Sequence, residues 1–175
     1  MLQLKILTMD NKTMKDYKKS RGWRNNNPLN IRRGEQWQGL TANQNDPSFC
    51  KFISMAWGYR AGAKVLMSYF RVFSQQGRPF TVENIIHRWA PAKENDTEAY
   101  ILSVCVRTGF DRADPLCRPN TPKGAWQMAV LMAAMTCVEC GCWWNQVDFY
   151  SVCLGVFMAY GIAIDDEKVR EIDYG

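Results

Sequence analysis

The segment Ala125–Val138, AWQMAVLMAAMTCV, holds no charged residue, so folding has to take it out of water. A bilayer and a protein core are the two places that accept it. Spanning a bilayer takes roughly 18–20 apolar residues, and this run is too short. A second run, Phe149–Ile164, is 16 residues without charge and also falls short. Both therefore predict helices buried in a core, with no membrane insertion; a membrane hairpin is the remote alternative. A chain of 175 residues suits one domain with a full core.

Composition adds two constraints. Aromatic residues make up 13% of the chain and include seven Trp, which implies an aromatic core or a groove that stacks on flat ligands such as sugar rings. Net charge is +5, and Lys15, Lys18, Lys19, Arg21, Arg24, Arg32 and Arg33 crowd the first third. That face either meets an anionic polymer, nucleic acid or cell-wall polymer, or is simply solvated. No nucleic-acid-binding motif accompanies it, so nucleic acid is not the expected partner. Seven Cys cannot all pair within one chain, and several sit in apolar helical runs, so reduced thiols are expected. With one His, His87, and no second Cys pair, no metal and no other cofactor are expected.

Along the chain, residues 1–20 read as a polar leader without the apolar core of a signal peptide. Synthesis in the cytoplasm is expected. Residues 21–175 read as one domain, with 145–175 as a helical extension. Pro28 ends the Asn-rich stretch 25–30. Three short candidate strands follow, Leu29–Arg33, Gln36–Leu40 and Phe49–Ile53, with a tight turn at Gly34-Glu35 between the first two. Helical period begins after Ser54 and stops near Gly77. Thr81 caps a short helix ending near Trp89. Asn95 or Asp96 caps one that ends at Thr108, before Gly109. Thr121-Pro122 opens the apolar helix, which closes at Cys140-Gly141. A helix over about Val147–Tyr160 and a short charged one near Asp166–Ile172 complete the pattern. The expected class is α+β: mostly helix, with a small antiparallel sheet near the N-terminus.

Three blocks carry a resemblance. Residues 22–40, GWRNNNPLNIRRGEQWQGL, resemble the RNNNPGNIR signature of phage and prophage proteins often labelled structural or virion proteins. Phe49–Phe52 with Trp57–Ala61 resemble that family's F.F….G.RA block. Trp89–Ile101, WAPAKENDTEAYI, resembles its WAPP.ENDT..YI block. The family is similar to lysozyme-like and lytic transglycosylase-like domains, so the resemblance implies that fold and cleavage of peptidoglycan. Delivery to the cell wall would fall to phage or other machinery, and virion or secretion components become expected partners. One position departs: Leu29 stands where the family has Gly, whose freedom at unusual backbone angles would alter the local turn.

Glycosidic cleavage needs a carboxylic acid that holds its proton near neutral pH. Glu139 is the candidate. It is the only acidic residue between Ala125 and Asp148 and lies at the end of the apolar helix, a setting that disfavours a free carboxylate. A Glu followed by a small residue and Gly also resembles the catalytic Glu of lysozyme-like enzymes. That Glu usually precedes the Asn-rich segment, but residues 1–25 contain no Glu, so a rearranged order is implied, with the catalytic helix C-terminal. Trp143 and Trp144 are placed to wall the site.

The candidate substrate-binding residues are Asn26, Asn27, Asn30, Trp37, Tyr59, Arg60, Glu94, Asn95, Asp96, Thr97 and Tyr100. The Asn amides either bond amino-sugar substituents or shape turns next to Pro28. Trp37 either stacks on a sugar or packs under the sheet. Arg60 either holds a carboxylate or pairs with Asp46. Glu94, Asn95, Thr97 and Tyr100 resemble the segment that lines the cleft of soluble lytic transglycosylases, whereas Asp96 is also a natural N-cap. Glu35 is a solvated turn residue or borders the cleft. The functional expectation is a peptidoglycan-cleaving glycosidase or lytic transglycosylase. The alternative is a non-catalytic virion or secretion-associated protein of the same fold.

Overall fold

Capping chemistry decides where the helices begin and end in the structure, a computed structural model that describes residues 16–165 and Glu167. Helix α1 spans Arg21–Arg24, with the Ser20 hydroxyl accepting from the Trp23 N–H. Helix α2 spans Met55–Gln75. Thr81 caps α3 (Val82–Trp89) by accepting from the Asn84 N–H. Asp96, and not Asn95, caps α4 (Thr97–Thr108). Thr121 caps α5 (Pro122–Cys140), and Pro122 starts it without wasting an N–H. Asp148 caps α6 (Phe149–Tyr160), so this helix begins slightly later than its apolar period suggests. Gly109, Gly141 and Gly161 close α4, α5 and α6 in left-handed conformations, the positions their spacing predicts. Residues 1–15 of the expected leader, and nearly all of the expected helix near Asp166–Ile172, lie outside the described residues.

Helix α5 is the centre. Met128, Leu131, Met132 and Met135 are fully buried, and α2, α4 and α6 pack around it. A helix apolar on all sides has to be surrounded in this way. Among the described residues no helix is long and apolar enough to cross a membrane. The most extensive helix pairing is α2 with α6. Gly155 permits it: a Cβ there would fall 2.5 Å from Tyr59 Cβ and 2.8 Å from the Ala56 carbonyl oxygen. All seven cysteines are free thiols.

The expected α+β class is not what forms. The described residues contain no sheet, only two isolated antiparallel bridges, Arg32 with Phe49 and Leu40 with Phe52. The first two expected strands do not form a hairpin with each other; each instead pairs with the segment 48–53 through one isolated bridge and two flanking backbone hydrogen bonds. Side chains take over the work of a ladder. The Asn27 amide donates to the carbonyls of Ile31 (2.9 Å) and Cys50 (2.8 Å) and accepts from the Ile31 N–H (2.8 Å). Gln44 donates to the Lys51 carbonyl and accepts from the Lys51 N–H. Asp46 accepts from the Ser48 and Phe49 N–H groups. Backbone groups satisfied by side chains no longer need a neighbouring strand.

Two outcomes follow for this side-chain-built segment. Asn27 is 0% exposed, so Asn27→Ala strands two buried backbone groups, the Ile31 N–H and the Cys50 carbonyl, while the Ile31 carbonyl keeps the Cys50 N–H. It should cost about 2–4 kcal/mol, given roughly 1–3 kcal/mol per unsatisfied buried group, read from urea unfolding. Asp46 is held down to about 2, first by the Ser48 N–H, then by the Asn25 side chain. Its folded-state value lies below its unfolded one. Its contribution is therefore fully present above about 3.8 and lost as pH falls toward about 2. Asp46→Asn should make the loss of stability across that window shallower, as measured by urea midpoints at each pH.

Candidate functional site

The Asn-rich loop is built residue by residue. Helix α1 ends in a Schellman arrangement: the Asn27 N–H donates to the Gly22 carbonyl and the Asn26 N–H to the Trp23 carbonyl. Asn26 takes the left-handed conformation this requires, at φ 49°. Its side chain donates to the Phe52 carbonyl. The Asn30 N–H donates to the Asn27 carbonyl across Pro28, and Asn30 is the second left-handed residue, at φ 50°. Asn tolerates this backbone better than most residues. The left-handed angles thus fall on Asn26 and Asn30. Leu29, where the resembled family has Gly, needs none and is buried against Gly62. The loop is pressed onto α2 at Gly58, where a Cβ would lie 2.3 Å from the Asn26 carbonyl oxygen.

This loop meets the end of α5. The Cys140 thiol donates to the Pro28 carbonyl, and Gly22 leaves room for Cys140. Glu139, one residue earlier, then gathers donors from distant parts of the chain. Asn30 Nδ2 donates to its Oε2 at 2.8 Å. Trp89 Nε1 and the Tyr100 hydroxyl both donate to its Oε1 at 3.0 Å. Burial, reinforced by the neighbouring Glu139 carboxylate, pushes the Tyr100 hydroxyl well above its usual range, so it stays a donor. An ionised carboxylate offers about four lone-pair positions, which leaves one open, on Oε2.

Glu139 lies in a cleft of about 720 Å³. One wall is the loop Leu29–Arg32 with Phe49. The opposite wall is the end of α3 and the segment through Asn95. Val65 and Tyr69 of α2 contribute the base. Such a volume suits a small ligand or a few sugar rings. Asn30 Oδ1, buried beside the carboxyl group, has no hydrogen-bond partner among the described residues.

The structure brings Asn30, Glu94, Asn95 and Glu139 together along this cleft, with Tyr100 directly behind the carboxyl group. Glu94 forms an ion pair with Arg32 at 3.6 Å. Asn95 donates to the Pro91 carbonyl. Asp96 serves α4 as its cap, and the Thr97 hydroxyl donates to the Ala90 carbonyl at 2.6 Å. Other candidates lie elsewhere. Asn27 is buried beneath the loop, and Asn26 faces Phe52. Trp37 packs on the core with its Nε1 unpartnered among the described residues. Tyr59 is buried with its hydroxyl 3.1 Å from that of Thr136. Arg60 stacks on Trp57, and Asp46 pairs with Arg21. Glu35 is exposed in its turn. Trp143 and Trp144 line a separate surface hollow with Asn145 and Gln146.

Among the lining residues that sequence reasoning did not single out are three with polar donors. Trp89 opens the third block, and its indole donor is the signal that marks it. Arg32 was counted only as charge and Arg88 was given no part, yet both line the cleft. One cluster of metal-ligating side chains, Glu83, His87 and Glu98, occurs among the described residues. Arg112 already forks onto both of its carboxylates, and His87 lies 3.8 Å from Glu98. The cluster is an exposed ion-pair network.

No protein-family model matches the chain. It is 44% identical over 101 residues to Protein P5 of Pseudoalteromonas phage PM2. The match covers 55% of this chain and spans 61% of that curated relative's length. Over that stretch the chain is a homologue of a phage protein.

Proposed function

We propose that the chain is a lysozyme-like, peptidoglycan-cleaving enzyme of phage type, acting as a lytic transglycosylase with Glu139 as acid and then base. The observation that carries this reading is the convergence of Asn30, Trp89 and Tyr100 on the one carboxyl group at the end of the apolar helix, inside a cleft. Neutral donors from three separate segments fix its orientation, as a group that must aim a proton requires. In this reading the open position on Oε2 is the one from which a proton is delivered to the substrate. Protonated Glu139 gives it to the glycosidic oxygen as the bond to C1 breaks. The resulting carboxylate then takes the proton of the substrate's own 6-hydroxyl as that oxygen closes on C1. One carboxyl group suffices for both steps, and the product is a 1,6-anhydro sugar. The phage homologue supports the setting.

A second reading is a non-catalytic phage protein of the same fold. Its support is that the partners of Glu139 all lie within the chain, so the carboxyl group also works as a structural knot.

Clearing of purified sacculi separates the two. The wild-type chain should clear them, and Glu139→Gln should lower the rate by about 10²–10⁴-fold, the usual worth of a general acid. Its thermal unfolding should stay close to wild type, because Gln keeps most of the donor network. Mass spectrometry should find anhydro products one water lighter than hydrolytic ones. Full activity in Glu139→Gln sinks the catalytic reading, and no clearing by the wild type favours the second. Tyr100→Phe should lower activity and cost about 1 kcal/mol of stability, the net worth of one hydrogen bond, checked by the same assay and by urea unfolding.

A further inference from the structure

Two guanidinium groups line the cleft, Arg32 on the loop wall and Arg88 at the end of α3. Each rests on an aromatic face. The Arg32 guanidinium carbon lies 5.5 Å from the Phe49 ring centroid, and that of Arg88 lies 4.8 Å from the Tyr69 centroid. Stacking occupies the flat face of a guanidinium and leaves its N–H edge free to fork onto a planar anion. The two differ in pairing. Arg32 has Glu94 at 3.6 Å, a loose contact between side chains 72% and 68% exposed. Arg88 has no carboxylate within 4 Å among the described residues. An exposed arginine propped on an aromatic ring inside a cleft, without an internal counter-ion, is ready to donate to a ligand's carboxylate.

We infer that the cleft selects a glycan bearing carboxylates on its side groups, with Arg88 as the carboxylate anchor and Arg32 as a second contact held in check by Glu94. This rests on the glycan-cleaving reading and sharpens its substrate: a strand with lactyl or peptide carboxylates in preference to a neutral N-acetylglucosamine polymer. Glu94 competes with the ligand for Arg32, so removing its charge strengthens binding. That sign is opposite to the effect of removing Arg88.

The test uses the full chain with Glu139→Gln, so that strands stay intact. The probes are soluble, uncross-linked peptidoglycan strands, the same strands with carboxyl groups amidated by carbodiimide and ammonia, and a neutral N-acetylglucosamine oligomer. Binding is read by calorimetry at moderate salt. Native strands should bind about tenfold more tightly than amidated ones, the scale of one charge-assisted contact. Arg88→Gln should remove most of that difference and leave binding of the neutral oligomer unchanged, while Glu94→Gln should tighten native strands. Circular dichroism checks that the exposed Arg88 variant keeps its fold. Equal affinity for native and amidated strands overturns the inference, as does an Arg88→Gln variant that binds native strands normally. Cleavage by the wild type is scored separately. Amidation-sensitive binding without cleavage defeats the glycosidase reading and leaves carboxylate recognition standing. Cleavage with amidation-insensitive binding does the reverse.

Discussion

A carboxyl group at the end of an apolar helix is costly unless it is met by donors, and the arrangement around Glu139 answers that demand. The α1 loop has to approach the end of α5 closely enough for Asn30 to reach. Helix α3 has to end where the Trp89 indole points at the same oxygen. Helix α4 has to present the Tyr100 hydroxyl from behind. Helix packing elsewhere sets distances that these contacts then use. Gly22 and Gly58 matter for this reason: each lets the loop come nearer than a side chain would allow. The cleft is the space left on the open side of this meeting point.

The helices were legible because their boundaries are local chemistry. Thr81, Asp96, Thr121-Pro122 and the three closing glycines act within one turn, so a single sequence reports them. The sheet was misread for a non-local reason. Residues 29–53 alternate and carry β-formers, but pairing is decided by which groups reach the backbone first. Asn27, Gln44 and Asp46 reach it, and only two bridges remain. The Asn, Gln and Asp content of that segment was the available signal, and it read as ordinary loop composition.

The candidate site divides along the same line. Glu139 stood out because a lone charge in an apolar run is visible in one dimension. Its partners lie 39 to 109 residues away in sequence, so only block resemblance pointed to Asn30 and Tyr100, and Trp89 was not assigned a role. Tyr59 and Thr97 carry polar groups, yet the fold spends those groups internally, on Thr136 and on the Ala90 carbonyl. Sequence alone does not show which polar atoms are already taken. Arg88 is the converse: a charge given no role by the sequence, resting on Tyr69 with no carboxylate beside it among the described residues.

The Asn27 hub has a consequence for the lifetime of the protein. Asparagine ages when the backbone nitrogen of the next residue attacks its side-chain amide, turning it into an acid. At position 27 that product would place a negative charge against the carbonyl oxygens of Ile31 and Cys50, in a site closed to water. The next residue is Pro28, whose ring nitrogen carries no N–H to give up. The residue that bends the loop therefore also keeps its buried amide chemically intact.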